Sequence, residues 1–170
     1  MTRPAKTCGP CGLCCKVFAV EELAKPAGTP CPHFAAGCSI YGTRPVSCRS
    51  FECVWLMDPE MPHRFRPDQT RVVLDQDPEG LRLIARCDPA NPMAWKRNPM
   101  HGALRARAAA TWRTGRLVLA VAGRRTWVVT PTADIDLGEI DPASSLRVEE
   151  DASGEVTVRV TAPGADAGPG

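Results

Sequence analysis

Four thiols crowd into one short run, Cys8-Gly9-Pro10-Cys11-Gly12-Leu13-Cys14-Cys15, and Cys31, Cys38, Cys48 and Cys53 follow it. Eight of the nine cysteines therefore lie in the first third of the 170-residue chain, and Cys87 stands alone after them. Thiolate sulfur is the ligand of zinc and of iron–sulfur clusters, both of which accept four sulfurs around a tetrahedral metal. Three cysteines at two-residue gaps can wrap one ion or cluster, with further ligands arriving from later in the chain. The neighbours Cys14 and Cys15 are the informative detail. Adjacent side chains point to opposite faces of an extended segment and diverge by about 100° on a helix. Such a pair rarely serves one tetrahedron. It implies two sites side by side, or a polynuclear cluster with shared sulfurs. Eight cysteines divide evenly into two four-sulfur sites, and the spacing alone does not say which thiol joins which site.

The order of the motifs is also recognisable. The run above is followed by Cys31-Pro32-His33-Phe34, by Cys38-Ser39-Ile40-Tyr41, and by Arg44-Pro45-Val46-Ser47-Cys48-Arg49-Ser50-Phe51-Glu52-Cys53. Together these resemble the cysteine-cluster (CxxCxxCC) family of zinc- or iron-chelating domain proteins, over residues 8–53. The resemblance implies a metal-binding module with Cys8, Cys11, Cys14, Cys15, Cys31, Cys38, Cys48 and Cys53 as ligands. Some relatives carry the motif beside a flagellin lysine methylase function in longer chains. No cofactor-binding motif for that activity stands here, so it is not carried over.

Other side chains read more plainly. His33 follows Cys31 by two residues and is an optional ligand, set against a role as a polar loop residue. His63 and His101 have no partners at ligand spacing. Cys87 reads as a core cysteine or a ninth ligand. Lys6, Lys16, Arg44 and Arg49 are interleaved with the thiols and could balance their negative charge. Asp134 and Asp136 read as loop acids. There is no glycine-rich phosphate loop, no Ser-His-Asp set and no paired carboxylates, so catalytic residues are not assigned and the reading leans away from an enzyme.

Composition narrows the context. The formal net charge is +2, which gives no global drive toward nucleic acid or an anionic membrane. The longest apolar run, Leu117 to Ala122, is far shorter than a membrane span. No apolar leader follows Met1, so the expected compartment is the cytoplasm, where dense cysteine reads as metal or redox chemistry rather than disulfides. Three functions follow from the site. The first is a protein holding zinc or an iron–sulfur cluster for structure, for interaction with a protein partner, or for metal handling. The others are an iron–sulfur redox protein or enzyme, and a zinc-dependent nucleic-acid module, for which the arginines from Arg64 to Arg125 are the only pointer.

The elements that must position the thiols are short. Many prolines and few aromatics predict an α+β fold, with a small irregular cysteine-rich module packed on β-hairpins and one longer helix. Residues 1–58 form the module, 59–161 the hairpin and helix body, and 162–170 a disordered tail. Within the module, a short helix is predicted over Val17–Lys25 and another over Pro45–Met57. In the body, hairpins are predicted around Asp77-Pro78-Glu79-Gly80, Gly123-Arg124 and Ala152-Ser153-Gly154, and the main helix over Pro99–Thr114, closed by Gly115. Trp55, Trp95, Trp112 and Trp127 are expected to close the core over the module.

Overall fold

The computed structural model describes residues 6–151, 153 and 156–164; residues 165–170 of the expected tail lie outside them. The fold is α+β. Five strands build the main sheet: β1 (Val72–Gln76), β2 (Arg82–Cys87), β3 (Leu117–Ala122), β4 (Arg125–Val129) and β5 (Asp134–Glu139). They lie in sequence order, antiparallel except for the parallel pair β2–β3. A parallel pair needs a crossover between its strands. Here it carries the longest helix, α5 (Met100–Thr111), which continues as a 3-10 turn over Trp112–Thr114 and stops at Gly115 with φ of 72°. Gly115 takes the left-handed conformation that a side chain would resist. Strands β6 (Ser145–Glu150) and β7 (Val156–Thr161) form a separate hairpin.

Strand parity fixes the core. Leu74 pairs with Ala85 and Val72 with Cys87, so these four share one face, where Met100, Leu104 and Ala108 of α5 cover them with Trp95, Trp127, Val118, Ala120 and Val129. The three-residue runs Val72–Leu74 and Val118–Ala120 are buried throughout, as strands covered on both faces must be. From the opposite face Arg86 lays its guanidinium over the Phe18 ring at 5.3 Å. The N-terminal segment thus meets the sheet on the side away from α5.

The three predicted hairpin pairings and the main helix stand as expected, while Ala152 and Gly154 of the third turn lie outside the described residues. Four expectations change. Asp134 and Asp136 are not loop acids; they lie in β5, where Arg125 pairs with Asp136 at 2.6 Å. The helix expected over Pro45–Met57 is two short helices, α2 (Val46–Ser50) and α3 (Val54–Met57), split by extended backbone at Phe51 and Cys53. Phe51 turns out of the helix to pack on Phe18, with ring centroids 4.6 Å apart. The helix expected over Val17–Lys25 is a short helix, α1 (Cys14–Val17), then a 3-10 turn over Glu21–Leu23, because Val20 and Lys25 pair as an isolated bridge. Finally, Trp95 and Trp127 belong to the sheet core, 5.4 Å from each other, rather than to a lid over the cysteines. Trp55, two residues after Cys53, is buried and donates its ring N–H to the Pro62 carbonyl at 3.3 Å.

Candidate metal centre

The first cysteine run folds as a loop entering α1. Gly9 and Gly12 take positive φ values of 47° and 53°. At Gly12 the reason is a close approach: a Cβ there would sit 2.0 Å from Cζ of Phe34. The Phe34 ring therefore lies directly on the loop. Phe34 also pairs with Cys38 as an isolated bridge, and its backbone N–H donates to the Cys31 carbonyl at 3.1 Å. One aromatic ring thus holds the loop carrying Cys31 and Cys38 against the loop carrying Cys8 to Cys15.

All eight thiols of this region are free and half-buried, and several meet. Cys14 is within hydrogen-bonding reach of both Cys8 and Cys15. Cys8 acts electrostatically on Cys11 and Cys53, and Cys15 and Cys31 act on Cys48. Backbone N–H groups already point at sulfur: those of Leu13 and Asp68 at Cys11, and those of Leu56 and Trp55 at Cys53. Hydrogen bonds of this kind favour the thiolate. Protonation follows the contacts. The Cys14 interaction draws the Cys8 thiol down to about 6 against the opposing effect of burial, with help from Arg44. It draws Cys15 down to about 7, with Lys25 assisting. Cys14 is pushed far up by its two sulfur neighbours, Cys15 above all, and then by burial.

The donor set has the chemistry of a soft-metal site. Its coordination is not closed: among the described residues no three His, Cys, Asp or Glu groups stand placed to hold one ion.

The surrounding cations sort themselves. Lys25 is only 5% exposed. Its ammonium is held by the carbonyls of Phe18 (2.5 Å), Pro26 and Thr29 (3.0 Å each) and Lys16 (3.5 Å). Among the described residues no carboxylate pairs with this ammonium, yet a buried charge needs a counter-charge. The Lys25 charge also helps to lower the Cys15 thiol, after the larger effect of Cys14. Lysine 25 escaped the sequence reading, because nothing in a lone Lys-Pro pair announces burial. Of the cations the sequence did suggest, Arg44 acts on Cys8. Lys16 instead pairs with the buried Asp88 at 2.6 Å, and Lys6 donates to the carbonyls of Trp55, Asp58 and Met61.

The remaining candidates lie apart. Cys87 is 2% exposed in the sheet core, and burial raises its thiol to about 11; it is a core side chain. His33 is half-buried in the Cys31–Cys38 loop, where its carbonyl accepts from Ser39. His63 meets the Trp55 ring edge-on. His101 and Arg105 both pair with Asp134, at 3.0 and 3.2 Å, and Arg124 faces Glu139 at 3.4 Å. These arginines are paired with acids of β5.

No protein-family model, curated protein or solved structure matches this chain. Among the described residues no helix is long and apolar enough to cross a membrane.

Proposed function

We propose that the protein is a thiolate metal-binding protein, holding zinc or an iron–sulfur centre with Cys8, Cys11, Cys14, Cys15, Cys31, Cys38, Cys48 and Cys53, and that the metal's role is structural. One observation carries this reading. Across residues 8–53 only Leu13 and Val20 are buried apolar side chains besides the half-buried thiols. Two such side chains contribute roughly 3–6 kcal/mol when fully buried. Ordering a segment of this length costs roughly ten times that. A loop module so poor in core needs a staple, and metal is the staple that eight free, half-buried thiols can accept. The buried ammonium of Lys25 and the guanidinium of Arg44 supply positive charge to sulfurs that become formally negative on metal binding. In a reducing compartment such as the cytoplasm, those thiols remain available for the metal. The resemblance to zinc- or iron-chelating domains points the same way.

Metal analysis and optical spectra of anaerobically purified protein test the reading. A colourless protein carrying stoichiometric zinc, or a brown one bleached by dithionite, supports it. Protein that carries neither metal, and whose thermal melt is unmoved by added zinc or by cluster reconstitution, ends it.

A further inference from the structure

We propose that the surface where the C-terminal end of α5 meets the β6–β7 hairpin binds single-stranded nucleic acid, with a base in the cleft beside Trp112 and phosphates on Arg113, Arg116 and Arg147. The contact lies on the body of the fold and does not depend on the cysteine module.

The small net charge hides a sharp segregation. No aspartate or glutamate stands between Asp88 and Asp134. The cations of that stretch divide in two. Lys96 and Arg105 are answered by Asp134, Arg124 by Glu139 and Arg125 by Asp136. Arg97, Arg107, Arg113 and Arg116 are exposed, and among the described residues no carboxylate pairs with them. Gly102, Ala106 and Ala109 are also exposed and recur at the spacing of one helix face, which Arg113 continues. A polyanion can therefore lie close to the helix without meeting bulk.

The hairpin adds to the same field. Arg147 stands directly opposite Arg159, and like charges so placed repel. Glu149 answers Arg159 at 3.6 Å, and Arg147 is left exposed with no carboxylate of its own among the described residues. Between helix and hairpin opens a cleft of about 300 Å³, lined by Trp112, Gly115, Leu117, Leu146, Arg147 and Val148. Arg113 and Arg116 alternate with these lining residues in sequence and stand at the rim. Ligand pockets begin near this volume, and it suits one planar ring. An aromatic side chain among apolar neighbours, with guanidinium groups around it, is the combination that holds a single strand. Bases stack on the aromatic ring, and arginine forks onto phosphate. An acidic protein segment would use the arginines but brings no planar ring for the cleft.

Fluorescence anisotropy of labelled oligothymidylate against the full chain tests this. Binding is expected at low salt, and three phosphate contacts on a single strand give a slope of about −2 for log affinity against log salt. Arg113→Gln combined with Arg116→Gln should weaken binding about tenfold or more and flatten the slope by about 1.4. Arg64→Gln combined with Arg71→Gln makes the same charge change at exposed positions elsewhere and should stay within about twofold of wild type. Trp112→Leu should cost about tenfold with the slope unchanged. Because Trp112 is half-buried and its variant could misfold, the two arginine pairs decide on their own. No binding at low salt overturns the proposal. Equal losses in both arginine pairs overturn the location. Displacement of the oligonucleotide by an equal concentration of polyglutamate of the same length overturns the nucleic-acid assignment in favour of an acidic protein partner.

Discussion

Thiol protonation ties this module to pH. Folding lowers Cys8 and Cys15 to about 6 and about 7, against roughly 8.5 for an unperturbed thiol. At these two thiols the folded module binds fewer protons than the unfolded segment across that window, while Cys14, Cys11, Cys48 and Cys53, whose thiols are raised, act in the opposite sense near and above the unfolded value. The stabilising contribution is complete above the unfolded value and is lost as pH falls through the folded values. Metal binding acts in the same direction, since it also expels thiol protons. At fixed free zinc, the folded fraction of the module should fall between about pH 8.5 and pH 6, followed by circular dichroism in a zinc-buffered titration. A flat profile across that range contradicts the thiolate assignment. A second residue-scale outcome concerns Gly12, whose positive φ and contact with Phe34 both exclude a side chain. Gly12→Ala should cost about 2–4 kcal/mol, from left-handed backbone strain and overpacking. Phe34→Ala in the same chain should recover the overpacking part, so a double-mutant cycle with no coupling between the two positions argues against the stacked arrangement. The thiols were legible in the sequence because metal-ligand spacing is local. Lys25 and the Phe34–Gly12 contact were not, because both depend on how distant loops fold onto each other.

At the scale of elements, the segment after α1 owes its path to one buried side chain. Lys25 gathers four carbonyls from Lys16 to Thr29 around its ammonium, while Val20 and Lys25 close the bridge that ends the helix early. Replacing it with Met keeps the stem and strips the donors, leaving carbonyls without their hydrogen bonds. Lys25→Met should destabilise the module by about 2–4 kcal/mol and weaken metal binding with it, as measured by competition against a chromophoric chelator. Wild-type affinity in this variant would show that the cage does not support the site. The same tertiary demands explain which elements could be read in advance. The hairpins around Asp77–Gly80 and Gly123-Arg124 and the helix ended by Gly115 carry their own turn and cap chemistry, so they were visible. Strand β5 was not, because Asp134-Ile135-Asp136 earns its place by pairing with β4 and by salt bridges to Arg105, His101 and Arg125. The break at Phe51 was hidden for the same reason: helical spacing continued through it, and only contact with Phe18 pulls the ring aside. The parallel β2–β3 pairing likewise depends on the crossover that carries α5.

For the whole molecule, core is unevenly distributed. Nearly all the buried apolar side chains belong to the main sheet and α5, with Cys87 among them, while residues 8–53 contribute two. Contacts between the two parts include Lys16 with Asp88, Phe18 with Arg86, the N–H of Asp68 with Cys11, and Gly28 against Pro89. The sheet is expected to outlast the module, since local opening is easiest where buried apolar contact is least. Stripping the metal should expose the amides of residues 8–53 to rapid hydrogen exchange and leave β1–β4 and α5 protected, and returning the metal should restore protection in the module. Mass-spectrometric exchange on the full chain reads both parts at once. Retention of protection in residues 8–53 after complete chelation would mean that the loops hold themselves, and the structural role of the metal would fall. Loss of protection across β1–β4 as well would instead mean that the module is part of one cooperative unit with the sheet. The pair of Lys16 with the buried Asp88 would then carry more of the coupling than its single contact suggests.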